Sequence, residues 1–422
     1  MTDAYVDTHV TKPVIPEGIR SSADWTFIFA QCKGCAMRVI ICGAGIAGLT
    51  LAWWLRQSGW DVLLVDDADG PRGDDHMVHL TRPGYDVIAR MGLIAELRSI
   101  EHHIPEITYV RRDGQPRGRL RRPAFEATLD RREATVMRGD LEQVLRTALN
   151  GLVTIEFGTT VRVVRQTADE VGVVLSDGTR ERADLLVGAD GLRSRIRRLV
   201  FGPEDLILRP LGYETAAYKF KDDAIDREID GRFTVLSAPG RQACIYPLGD
   251  GLLATSLAHQ TVDRPLRGNA STLLHEVYGD MGWIIHDVVS HCPAMPLHNQ
   301  VAHVDLDRWS RGRVTLVGDA GLAVSSLTGW NTPLAMASAF ALTVALYEQH
   351  DLRTALNSYE TAMRPAVQRH QSIARKAAKW VVPRHQWQIT TRDALVAAAG
   401  LPSLSRLLRP VMTRASKSIA PL

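Results

Sequence analysis

Three short stretches carry residue types and spacings that suit binding chemistry. In the first, Gly43, Ala44, Gly45, Ile46, Ala47 and Gly48 form G-x-G-x-x-G, and Asp66 lies roughly 20 residues further on. Gly43 permits a tight turn, Gly45 lets backbone approach a pyrophosphate, and Gly48 lets a helix pack closely on a strand. Asp66 suits the hydrogen-bond donors of a ribose diol. The second stretch is Asp190-Gly191, followed by Arg193, Ser194, Arg195, Arg197 and Arg198. It reads either as backbone N–H groups and guanidinium charge for phosphate or a nicotinamide cofactor, or as a tight turn into a solvated basic helix. The third is Gly318-Asp319, where the carboxylate suits a sugar-like polyol.

These residues need elements that hold them. Residues 37–68 are strongly apolar, but the run breaks at Arg56, Gln57 and Ser58 and contains three glycines, so it does not make the ~20-residue apolar span of a membrane helix. A second apolar run follows where a signal peptide would need its small-residue cleavage site. The pattern therefore predicts a strand over 39–42, a helix over about 45–58 with Gly59 as its C-terminal glycine, and a second strand over 61–65. Apolar strands at 185–187 and 314–317 run into the second and third stretches. After Asp319 a loop over 321–332 leads to a small-residue-rich helix over about 334–345. Alternation predicts strands at 232–238, 242–247 and 252–258, the last two joined at Gly249-Asp250-Gly251.

With 422 residues, 45% hydrophobic and 23% charged, the chain reads as an ordinary globular protein of two or three domains. A net charge of +3 gives no case for a nucleic acid or membrane partner. Five cysteines, an odd number with Cys42 inside the glycine fingerprint, point to a reducing cytoplasm rather than a disulfide framework. Cys32 and Cys35 form an isolated C-x-x-C, and no metal site is expected. Residues 1–36 lack periodicity and are expected to be a disordered, dispensable extension or the product of an upstream start. From Arg384 onward, Leu395, Leu401, Leu404, Leu407 and Leu408 beside arginines predict an amphipathic, packed helix.

The ordered trio resembles the group A flavoprotein monooxygenases, the p-hydroxybenzoate hydroxylase-like family, over about residues 37–378. That resemblance implies an α/β fold: a discontinuous Rossmann-like FAD-binding domain (37–202 and 303–378), an inserted β-sheet substrate domain (203–302) and a C-terminal helical tail (379–422). It implies that Gly43–Gly48 bind the FAD pyrophosphate and Asp66 the adenosine ribose, where the family usually has Glu. Arg138, in VMRGDLEQVL, would reach the FAD. Asp190 and Gly191 would touch FAD and the nicotinamide cofactor, and Gly318-Asp319 the ribityl chain. The implied function is an FAD-dependent monooxygenase. It would use NADPH or NADH and O2, by way of a flavin C4a-hydroperoxide, on an aromatic or polyketide-like small molecule of secondary metabolism. The implied protein is a monomer or homodimer. An FAD-retaining non-redox cyclase and a flavin oxidase or dehydrogenase are the alternatives. No side-chain nucleophile is required; His79 and Tyr246 are expected near the cavity in packing or hydrogen-bonded roles. The loop departs from the family: Gly321-Leu322 stands for Ala-His, Ser326 for a proline, Gly329-Trp330-Asn331 for Gly-x-Gly, and Pro333 for an asparagine.

Overall fold

The structure, a computed structural model, describes residues 37–71, 73, 76–121, 132–261 and 269–399. The expected extension 1–36, with Cys32 and Cys35, and Leu401–Leu408 of the tail lie outside the described residues.

A six-stranded sheet organises the chain. Its order is Ser310–Arg311, Val314–Leu316, Leu185–Gly188, Arg38–Cys42, Asp61–Val65, Ile155–Glu156, parallel except for the Ser310–Arg311 edge. Val39, Ile40 and Ile41 are fully buried, as a central parallel strand covered on both faces requires. The register pairs Cys42 with both Val65 and Gly188, and Gly188 with Leu316. Four parallel strands thus end at one level, and three of them lead into the stretches singled out above. The three stretches singled out above emerge side by side at their carboxyl ends, where open α/β sheets bind ligands.

The helix Ile46–Gln57 follows the first strand with Gly45 as its N-cap, and Gly59 beyond it has φ +84°. Every residue from Ile46 to Leu55 is buried. A helix apolar on all sides belongs inside, and this one lies between the sheet and the helix Asn331–Glu348, with Trp54 edge-on to Phe340 at 4.8 Å. The helix Asn331–Glu348 starts at Asn331, earlier than the periodicity placed it. Pro333 falls in its first turn, where no intrahelical partner for an N–H exists. The segment ahead of it is a short helix, Asp319–Leu322, and a 3-10 turn, Ser326–Thr328, in place of a continuous loop.

The second sheet has seven strands, ordered Leu297–Val304, Leu208–Lys221, Leu252–Gln260, Arg241–Gly249, Phe233–Ala238, Glu106–Val110, Pro116–Arg121. Its last two strands come from well before residue 203. They join through a parallel pairing that sets Phe233 against Ile107 and Leu236 against Val110. On one face, Tyr218, Leu236, Ile245 and Leu257 bury against the helices Ala270–Tyr278 and Ile285–Ser290. On the other, Tyr246 and Ala254 pack on Met137, the residue before Arg138. The seven-stranded sheet therefore roofs the region where the three stretches converge.

The helix Leu352–Val381 is followed by Gln386–Ala399, which docks on the roof. Arg392 donates to Ser237 Oγ at 2.9 Å and to Gln242 Oε1 at 3.1 Å. Among the described residues, no helix is long and apolar enough to cross a membrane.

Candidate functional site

The glycine fingerprint divides into two kinds of position. Gly43 has φ +114°, and a Cβ there would stand 2.4 Å from the Ala189 carbonyl oxygen; one on Gly48 would stand 1.8 Å from the Gly43 carbonyl oxygen. Both glycines are required by contacts within the protein. Gly45 is different. It has extended backbone, φ −78°, and its Cβ would meet nothing nearer than Arg138 Nη2 at 3.5 Å. Nothing in the protein's own packing demands glycine at 45. No side chain caps the helix that follows, and no acid lies in its first turn. Its first N–H groups are thus available to an anion, the arrangement that favours phosphate.

Asp66 holds this turn. Its Oδ2 accepts from Ala44 N at 2.7 Å and its Oδ1 from Ala68 N at 2.9 Å. An Asp66→Asn variant keeps one acceptor oxygen and leaves one of those N–H groups facing an amide NH2. A hydrogen bond to a charged group contributes about 1.5–3 kcal/mol. Titration of the apoprotein with FAD, followed by flavin fluorescence, should show roughly tenfold or greater weakening. An unchanged affinity would mean that the carboxylate does not shape the turn.

At the second stretch, Asp190 Oδ2 accepts from Arg195 N at 2.7 Å and Ile196 N at 3.0 Å, tying the turn to the helix Arg195–Val200. Asp190 Oδ1 is buried without a hydrogen-bond partner, and burial raises this carboxyl above its usual range. Gly191 has φ +75° with open space around it. The arginines do not act together as a solvated basic face. Arg193 and Arg198 are exposed, but Arg197 is fully buried. It donates to the Ala320 carbonyl at 2.8 Å and the Leu192 carbonyl at 2.6 Å, and pairs with Glu204 at 3.4 Å. For Arg197 the expected contribution of charge toward a phosphate is corrected: the side chain is a tie between the second and third stretches.

At the third stretch, Gly318 has φ +56°, and a Cβ there would stand 2.7 Å from the Cβ of Ala47. The fingerprint helix and the Gly318 turn thus touch directly. Gly318 N also donates to Ser338 Oγ at 3.1 Å. Asp319 Oδ2 accepts from Asn331 Nδ2 at 3.1 Å. Burial raises the Asp319 carboxyl, while Asn331 and the positive charge of Arg138 act to lower it. Arg138 opens the helix Arg138–Leu149 and pairs with the buried Glu142 at 3.0 Å. One guanidinium therefore stands beside Gly45 and acts on Asp319.

His79 and Tyr246 have hydrogen-bonded roles. His79 bonds Thr135 at 3.0 Å and Glu133 at 3.2 Å. The Tyr246 hydroxyl accepts from Met77 N at 3.2 Å, and its ring stacks on Phe233. Burial pushes the Cys42 thiol up to about 12, so it is no thiolate. Among the described residues no group of His, Cys, Asp and Glu could hold a metal ion. The sequence reading did not single out Glu142, whose signal was its i, i+4 spacing from Arg138. It named Arg197 among the arginines and Asn331 among the loop departures, but no local signal gives the contacts that either makes.

Residues 36–203 match the family model of the FAD binding domain. The uncapped helix start, the open side of Gly45 and the unpartnered Asp190 oxygen fit such a ligand, and the protein is of the class that binds FAD. An uncharacterized protein of Mycobacterium tuberculosis is 29% identical over 313 residues, 72% of this chain and 83% of that protein. An FAD-dependent monooxygenase of Sarocladium schorii is 29% identical over 368 residues, covering 80% of this chain and 86% of its own. In fold, the chain is similar to the tetracycline destructase Tet(51), with TM-score 0.77 and 23% identity over 92% of this chain and 99% of that one. It is also similar to HpxO of Klebsiella pneumoniae solved with FAD and uric acid, with TM-score 0.73 and 21% identity over 90% and 97%. Residues 36–203 thus match an FAD binding domain, and over most of its length the chain is similar to FAD-dependent monooxygenases.

Proposed function

We propose that the protein transfers an oxygen atom from O2 to an aromatic or polyketide-like small molecule, with NADPH or NADH as reductant. The observation that carries this reading is the convergence of Gly45, Arg138 and Asp319 at the carboxyl edge of the parallel sheet, under the seven-stranded roof. The names of the relatives support it. The backbone of Gly43–Gly48 would receive the FAD pyrophosphate, Asp66 the adenosine ribose and Asp319 the ribityl chain. When bound, FAD supplies the redox chemistry, carrying electrons from the reduced nicotinamide to O2.

The chain's own residues bind, orient and exclude water. Arg138, held by Glu142, would set positive charge beside the FAD phosphates. Asp190 and Gly191 would touch FAD and the nicotinamide cofactor, and the exposed Arg193 would add charge for the latter's phosphates. The roof, with Tyr246 and Phe233 stacked on its inner face, shields the substrate from bulk water. In domain terms, residues 37–202 and 303–378 form the FAD part and 203–302 the substrate part, with the strands Glu106–Val110 and Pro116–Arg121 serving the latter. The protein works as a cytoplasmic monomer or homodimer, consistent with free Cys42, Cys244 and Cys292.

Purified protein should release non-covalent FAD on denaturation. It should oxidise NADPH or NADH with O2 uptake that rises on adding the right member of a panel of phenols and polyketides. Protein that releases no FAD would overturn the reading. Protein that consumes no reductant but cyclises a supplied polyene would be the non-redox cyclase instead.

A further inference from the structure

We propose that Asn331 is a positioning residue for Asp319: its amide holds one carboxylate oxygen as an acceptor and leaves the other for the ligand. This rests on the reading of Asp319 as the residue that receives the ribityl chain.

The orientation of the amide is fixed by chemistry. Ser325 N is a backbone donor, and it meets Asn331 Oδ1 at 2.9 Å. The carbonyl end of the side chain must therefore face Ser325, which turns the NH2 end to Asp319 Oδ2 at 3.1 Å. Asn331 is the first residue of the helix Asn331–Glu348, so its side chain reaches back over the turn that precedes it. It links three points of the chain: the Asp319 turn, the loop at Ser325 and the helix start. Asp319 Oδ1 has no hydrogen-bond partner among the described residues, whereas Oδ2 is occupied. The carboxylate is thus fixed in rotation with one oxygen presented. At this position the family resemblance implied a glycine, which has no amide to offer. The residue is not at positive φ, so conformational freedom does not explain it.

The charges facing Asp319 are few. Arg138, on the helix Arg138–Leu149, acts on it from one side and is itself paired with Glu142. From its own turn and from the helix Asn331–Glu348 the polar group that meets it is Asn331. A carboxylate placed at 331 would therefore couple directly to Asp319.

The test replaces the donor without changing its shape. In Asn331→Asp, one oxygen still accepts from Ser325 N, but the other faces Asp319 Oδ2. Two carboxyls at hydrogen-bond distance share one proton, and the apparent pKa of the pair is raised. Below that pKa the shared proton substitutes for the amide hydrogen. As pH rises through it, both groups ionise, repel each other and lose the fixed geometry. FAD affinity, read by flavin fluorescence on the apoprotein, should fall relative to the natural protein by about tenfold or more between about pH 5.5 and 8.5. Asn331→Gly should weaken binding by a similar factor at every pH. The exchange variant, Asp319→Asn with Asn331→Asp, restores one donor and one acceptor and should lose the pH slope. It also decides the matter if Asn331→Asp alone does not fold.

The outcomes separate. If Asp319→Asn binds FAD as the natural protein does, the role of Asp319 fails, and this inference with it. If Asp319→Asn loses affinity but Asn331→Asp tracks the natural protein across the pH range, the inference alone is overturned. An exchange variant that keeps the slope overturns it as well.

Discussion

Gly45→Ala is expected to abolish tight FAD binding with little loss of stability, while Gly48→Ala is expected to destabilise the fold strongly. The two glycines are three residues apart in one motif, yet they answer to different neighbours. A Cβ at 45 comes no closer than 3.5 Å to any described atom, and that atom is the tip of the flexible Arg138 side chain. Alanine is a poorer N-cap than glycine, but that costs only about 0.5–1 kcal/mol. The methyl would project into the space before the helix start, where the pyrophosphate is to lie. A Cβ at 48 stands 1.8 Å from a backbone oxygen that is itself held in the glycine turn. Neither side can yield, and the helix must move off the sheet. Overpacking of this kind costs roughly 3 kcal/mol or more. Thermal melting of the two apoproteins and their FAD titrations should separate the effects. If Gly45→Ala binds FAD normally, the open side of Gly45 is not the phosphate seat.

Arg197→Met should be among the most damaging single substitutions in the chain. The side chain is fully buried, and its guanidinium satisfies the carbonyls of Leu192 and Ala320. Methionine matches much of the volume and none of the donors. The buried Ala320 carbonyl and the part-buried Leu192 carbonyl then lose this donor, and Glu204 keeps only Arg198. The combined cost is roughly 3–5 kcal/mol. Arg197→Lys retains the charge, but a single ammonium on a flexible stem cannot reproduce the planar fork that reaches both carbonyls, so rescue should be partial. Because Ala320 follows Asp319, the loss should appear in FAD retention as well as in melting. A methionine variant that melts and binds like the natural protein would show that the tie is dispensable.

These two cases show where the sequence could be read and where it could not. The strand over 61–65 and the glycine turn were legible because their signals are local: a short apolar run, a glycine spacing and an acid at a fixed distance. The convergence of the three stretches was legible through the family pattern, and the register of three parallel strands gives it a physical cause. The Glu106–Val110 strand was placed by a parallel partner at 233–238, and no local pattern encodes so distant a pairing. Arg197 sits in a run of arginines that looks uniformly solvated, so only tertiary packing distinguishes it. Asn331 reads in the sequence only as a departure from Gly-x-Gly, and no local pattern shows that its amide meets both Ser325 and Asp319.

The order of the six strands bears on how the protein is made. The strand Leu185–Gly188 lies between Arg38–Cys42 and Val314–Leu316, and the whole run 208–304 of the roof is synthesised before the second of these neighbours arrives. Chains emerge from the ribosome amino end first. During that interval the nascent chain carries one open edge on a fully buried, apolar strand, which is a template for pairing with a stranger. The growing polypeptide can hold the first two ligand-facing turns but not the third. Competence to keep the cofactor is therefore acquired late, when residues 314–319 close the sheet. A chain cut short in the roof would lack the third turn and would keep that edge open.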